Sequence, residues 1–82
     1  MPYAADIERV ERLIRELEER VSNQRKAIET ADAGGLSTEA SRALLWVLKE
    51  SLSLSRDHLA RLLADEALSA RAGEDLPSRD RY

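Results

Sequence analysis

The chain has no cysteine and no phenylalanine, and its 82 residues include only three glycines and two prolines. The lack of cysteine excludes disulfides, thiolate catalysis and cysteine-ligated zinc, and it is compatible with a reducing cytoplasm. No apolar run approaches the ~20 residues of a membrane span, and the first residues lack the basic and apolar regions of a signal peptide. The sequence therefore predicts a soluble cytoplasmic protein with no cofactor.

The charged residues do not provide a basic stripe that could bind the phosphate backbone of a nucleic acid. The formal net charge is −3 and the sequence pI is about 5.1, so we expect no nucleic-acid partner. Acidic balance also opposes binding to an anionic membrane surface. With few glycines and prolines and a core limited mainly to Leu, Ile, Val and Ala, the composition favours packed helices in one small all-α domain.

The first predicted helix covers about residues 6–32, with Asp6 as its N-cap. Its other faces are rich in Glu and Arg, and pairs such as Glu8 and Arg12 give weak local support to a solvated helix surface. The apolar seam repeats in steps of three and four residues, as packed helices require. Its members are Ile7, Val10, Ile14, Leu17, Val21, Gln24, Ile28 and Ala31.

A glycine pair, Gly34-Gly35, is expected to close this helix, because glycine adopts the left-handed conformation without a Cβ penalty. Ser37 or Thr38 then caps a second helix over about 38–71, which is predicted to end at Gly73 by the same logic. The two helices form a hairpin over residues 1–73. Residues 74–82 are charged and are predicted to form a flexible polar tail.

The second helix carries two apolar stripes. The first pairs with the helix 1 seam, because antiparallel neighbours have position numbers of constant sum, here 69. The second stripe has no partner within a hairpin, which predicts a homodimer forming a four-helix bundle. The first stripe is Leu45, Leu48, Leu52, Ser55, Leu59 and Leu62, and the second, the predicted dimer interface, is Ala40, Leu44, Val47, Ser51, Leu54 and His58.

Two residues do not fit this scheme. Gln24 is the polar member of the helix 1 seam, and it is interpreted either as an amide at the seam edge reaching water or as a residue that fixes the register. Trp46 falls on the side of helix 2 opposite both stripes. It is either a plain surface residue or a contact for a partner protein, where tryptophan is enriched.

No catalytic or metal-binding arrangement is recognisable. His58 is the only histidine, so it cannot build a metal site without further ligands, and Ser51, Ser53 and Ser55 lack a positioned histidine relay. We therefore expect a non-enzymatic, homo-oligomeric protein-protein interaction module with an unidentified protein partner. The alternative is a small signalling regulator of phosphatase or phosphotransfer type that acts through His58.

Several short stretches of the two helices and the turn carry a resemblance. They are residues 18–21 with Gln24, the Gly34-Gly35 turn, Thr38 with Ala40, residues 44–46 with Ser51 and Leu52, and residues 56–62. Together they resemble a group of short bacterial helical-hairpin proteins of unknown function, which implies a helical hairpin and no particular activity. In size and plan the chain is also similar to small sporulation phosphatases that dock on response regulators. The Ser-Gln-Glu-Leu-Asp motif of that family is absent, because the comparable place reads Ser-Leu-Ser-Leu-Ser at 51–55.

Overall fold

The computed structural model describes residues 2–79, without the side chains of Pro2 and of residues 74–79. Helix α1 spans Pro2–Ala33 and helix α2 spans Glu39–Arg79, and this range contains no strand. The helices lie side by side and antiparallel in a slender body of 75 × 16 × 12 Å. The fold of the described residues is therefore all-α, as the composition predicts.

The seam of α1 faces α2 along its length. Every one of its eight predicted members is buried or half-buried, and only Tyr3 joins them among the α1 side chains described. In α2, all six residues of the first stripe are likewise buried or half-buried. Leu17, Val21 and Leu52 form the centre of the core, with Ile14, Leu45 and Leu48 packed around them. The predicted pairing of this seam with the first stripe is confirmed.

The turn after α1 closes in the geometry that the glycine pair predicts. Gly35 has a φ of +72°, and its N–H donates to the carbonyl of Asp32 at 3.0 Å. The N–H of Leu36 donates to the carbonyl of Ala31 at 2.9 Å, which completes a Schellman motif. The chain can thus reverse within a few residues while the last carbonyls of α1 keep hydrogen-bond partners.

Helix α2 begins with Thr38 as its N-cap, because the Thr38 carbonyl accepts the N–H of Arg42 at 2.8 Å. The Thr38 hydroxyl accepts a hydrogen bond from Arg42 Nε at 2.9 Å and donates to Asp32 Oδ1 at 3.2 Å. Arg42 also donates from a second nitrogen to Asp32 Oδ2 at 2.6 Å. These contacts clamp the end of α1 to the beginning of α2.

Both outer ends of the helices differ from the sequence prediction. Helix α1 begins at Pro2, so Asp6 is not an N-cap but lies in the first turns and pairs with Arg9 at 3.5 Å. Helix α2 continues through Gly73 to Arg79 and so includes part of the predicted tail. A glycine costs a helix interior only about 1 kcal/mol, so it permits an end without imposing one. Asp80–Tyr82 lie outside the described residues.

Candidate protein interaction surfaces

A two-helix hairpin has two edges, and a groove between the helices runs along each. One groove has a volume of about 460 Å³, and the other has a volume of about 330 Å³. The first is lined by Arg20, Asn23, Gln24, Ala27, Leu44 and Leu48, and the second is lined by Glu18, Val21, Arg25, Lys49, Leu52 and Arg56. We call the first side the apolar edge and the second side the charged edge.

The second stripe of α2 lies along the apolar edge and is largely uncovered. Leu44 is 49% exposed, Val47 is 50% exposed and Leu54 is 64% exposed. Ala40 and His58 are also exposed, whereas Ser51 is half-buried. The structure thus brings the six predicted interface residues together on one face of α2, and helix α1 leaves most of that face open to solvent.

Helix α1 adds a leucine to this edge that the sequence analysis did not include. Leu13 is 44% exposed and precedes Arg20 and Ala27 by seven and fourteen residues. Because residues seven apart share a helix face, Leu13 lies on the same side as these two groove residues. The signal in the sequence was its fourteen-residue spacing from Ala27, a second apolar repeat of α1 beside the main seam.

The charged edge carries a ladder of three cross-helix rungs. Glu18 pairs with Arg56 at 3.1 Å, and Asp32 pairs with Arg42 at 2.6 Å. The position numbers of both pairs add to 74. Halfway between them, Arg25 and Lys49 also add to 74 and line the same groove. The outer rungs are therefore ion pairs, and the middle rung sets a cation opposite a cation.

Trp46 is 65% exposed and lies away from α1, as the wheel position predicts. It stands between Arg42 and Lys49 on the helix, at spacings of four and three residues. These spacings place all three side chains on one helix face. The large aromatic side chain therefore borders the charged edge and not the apolar edge.

Comparison with protein-family models, curated proteins and solved structures gave no match. The resemblance to short bacterial hairpin proteins therefore stays a prediction.

His58 is exposed on α2, within the second stripe. Over the part of the chain that the structure describes, no cluster of three His, Asp or Glu residues could hold a metal ion. The same residues contain no helix long and apolar enough to cross a membrane.

Gln24 makes a specific contact across the hairpin. Its Nε2 donates to the carbonyl of Ser41 at 2.9 Å, and the side chain is partly buried. This hydrogen bond ties the last third of α1 to the first turn of α2. Of the two interpretations of this residue, the geometry favours the one in which it fixes the register.

Proposed function

We propose that this chain is a non-enzymatic interaction module in which two hairpins associate along their apolar edges to form a four-helix bundle. The proposal is carried by the exposure of Leu44, Val47 and Leu54 in a single row. Large apolar side chains in a row on one helix face are unfavourable in water, and they are typical of surfaces that bind protein. The cysteine-free composition fits the cytoplasm, where we place the module.

The small core of the hairpin supports association. Among the described residues, the buried apolar side chains are Val10, Leu17, Val21, Ile28 and Leu52, and each retains 5–8% of its exposure. A two-helix hairpin has a single helix-helix contact, so few of its side chains can be buried this far. A second hairpin on the apolar edge would cover the second stripe and thicken the core.

The sequence of the second stripe suits an antiparallel two-fold contact between two copies of α2, centred near Lys49. In such a contact, each residue faces a residue of the second copy, and the two position numbers add to 98. Leu44 then meets Leu54 of the second copy, and Val47 meets Ser51, so a large side chain lies opposite a small one at the centre. Ala40 meets His58 at each end of this contact.

Sedimentation equilibrium at micromolar concentration tests the dimer. We expect twice the chain mass of 9.2 kDa for the unaltered protein and a monomer for Leu54→Glu, because a buried carboxylate in the contact would lose hydration. Ser53→Glu is the matched control, since it adds the same charge one residue away and outside the apolar edge. A monomeric parent protein, or equal behaviour of the two variants, would contradict the proposal.

A second candidate is a regulator of phosphotransfer type, and the exposure of His58 on a helix supports it. In this function the imidazole would exchange a phosphoryl group with a response regulator. The test is phosphate transfer with His58→Ala, which should abolish transfer while far-UV circular dichroism shows unchanged helicity. Transfer that persists in the variant would exclude His58.

A further inference from the structure

At the middle rung of the charged edge, the cross-helix charge pattern opposes the hairpin. A glutamate at position 25 or 49 would give a third ion pair in line with the two that form. The chain instead has Arg25 and Lys49 there, and two like charges across a groove repel each other. The fold itself gains nothing from this arrangement.

Neither cation finds a carboxylate among the described residues, where no acidic oxygen lies within 4.0 Å of Arg25 or Lys49. The acidic residue that lines their groove, Glu18, is engaged by Arg56. Glu29 follows Arg25 by one helical turn and makes no ion pair with it in this structure. Two positive charges therefore remain for an external anion, above a groove floor of Val21 and Leu52.

Lys49 is part of a longer face of α2. Its members step by four and three residues, as the residues of a helix-packing seam do. The face begins with charged and aromatic side chains and continues into apolar ones, with Leu63 46% exposed. In order it comprises Arg42, Trp46, Lys49, Ser53, Arg56, Ala60 and Leu63. A second helix fits a face of this length and spacing.

We propose that the charged edge binds an acidic helix of a partner protein, which places a carboxylate between Arg25 and Lys49 and an apolar side chain against Trp46. This inference rests on the proposed interaction function and names its partner by chemistry, but it uses the edge opposite the dimer contact. Charge complementarity decides the chemistry, because the two uncompensated cations, Arg25 and Lys49, line one groove, and Lys49 lies on the same helix face as Trp46. The formal net charge of the chain is −3, so long-range electrostatic attraction does not favour an acidic partner. The selection must come from the two cations of the middle rung at close range.

The test uses the full chain and a synthetic acidic helical peptide of three heptads, with Glu and Leu at seam positions and no tryptophan. Trp46 is the only tryptophan, so its emission reports binding directly. We expect saturable binding that Lys49→Gln and Arg25→Gln each weaken by about threefold to tenfold. Lys26→Gln is the matched control, because it removes an exposed charge next to Arg25 that does not line the groove.

A peptide with Gln in place of Glu should not bind, and calorimetry with Trp46→Ala should show weaker binding of the acidic peptide. The inference is overturned if the acidic peptide fails to bind, if the neutral peptide binds equally well, or if Lys26→Gln weakens binding as much as Lys49→Gln. It is also overturned if Lys49→Gln weakens self-association instead, since a second copy would then occupy the edge. The Leu54→Glu variant should still bind the acidic peptide, because the substitution alters only the apolar edge. This measurement therefore tests the acidic-partner inference independently of dimerisation.

Discussion

Leu52 and Leu54 stand two residues apart on the same helix and differ almost only in their surroundings. Leu52 is 7% exposed in the core with Leu17 and Val21, whereas Leu54 is 64% exposed on the apolar edge. Replacing each with alanine removes the same atoms from the same kind of backbone. The pair of variants therefore measures how the two stripes of α2 divide the stabilising contacts between them.

For Leu52→Ala we expect a loss of about 2–5 kcal/mol in the free energy of unfolding, because a buried leucine is truncated in a tightly packed seam. For Leu54→Ala in the monomer the loss should be under about 1 kcal/mol, since complete burial of a leucine is worth roughly 1.5–3 kcal/mol and only about a third of this side chain is covered. For a domain of this size, 1 kcal/mol corresponds to about 4–8 °C in Tm.

Thermal unfolding followed by far-UV circular dichroism, at several protein concentrations, separates the two effects. Leu52→Ala should lower the Tm by about 10 °C or more at every concentration. In dilute solution the Tm of Leu54→Ala should lie close to that of the parent protein. At higher concentration it should fall increasingly below the parent's Tm, because dimerisation stabilises the parent by mass action. Equal losses for both variants in dilute solution would refute the assignment of the first stripe to α1.

Four further substitutions test single positions by urea unfolding. Gln24→Ala should cost about 0.5–1.5 kcal/mol, because the hydrogen bond to the Ser41 carbonyl is lost; no change would show that water replaces it. Gly35→Ala should cost about 1–2 kcal/mol from its φ of +72°, whereas Gly34→Ala, at an ordinary φ, should cost less. Lys49→Glu should stabilise the hairpin by about 0.2–1 kcal/mol in low salt, because it turns the middle rung into an ion pair, and a decrease would mean that Arg25 does not face it.

The paired seam was predictable because it depends on regularities that extend over many residues. Steps of three and four residues fix which side chains share a face, and a short turn fixes the direction of the second helix. Two independent repeats then agree in phase only if they face each other. A single residue that departs from the apolar repeat, such as the polar Gln24, does not disturb such a pattern.

The helix ends were less predictable because each depends on one or two residues with small energies. Asp6 has the chemistry of an N-cap, but Pro2 is also well suited to a first helical position, and the helix begins there. Gly73 is permitted at a helix end and tolerated inside a helix. Gly35 behaved as expected because it coincides with an obligatory reversal of the chain and with the hydrogen bonds that satisfy the end of α1.

The charged ladder can be recognised in the sequence only when charges on the two helices are paired across the turn, because pairs within one helix do not reveal it. Glu18, Arg25 and Asp32 recur every seven residues, and so do Arg42, Lys49 and Arg56, each in reverse order across the turn. The antiparallel pairing that aligns the apolar seams therefore aligns these charges as well. The outer rungs form ion pairs as that pairing requires, and the same register places the two cations of the middle rung opposite each other. Because this arrangement does not stabilise the hairpin, its explanation lies outside the hairpin. An anionic partner supplies such a reason, and it leaves the apolar edge free for the second copy.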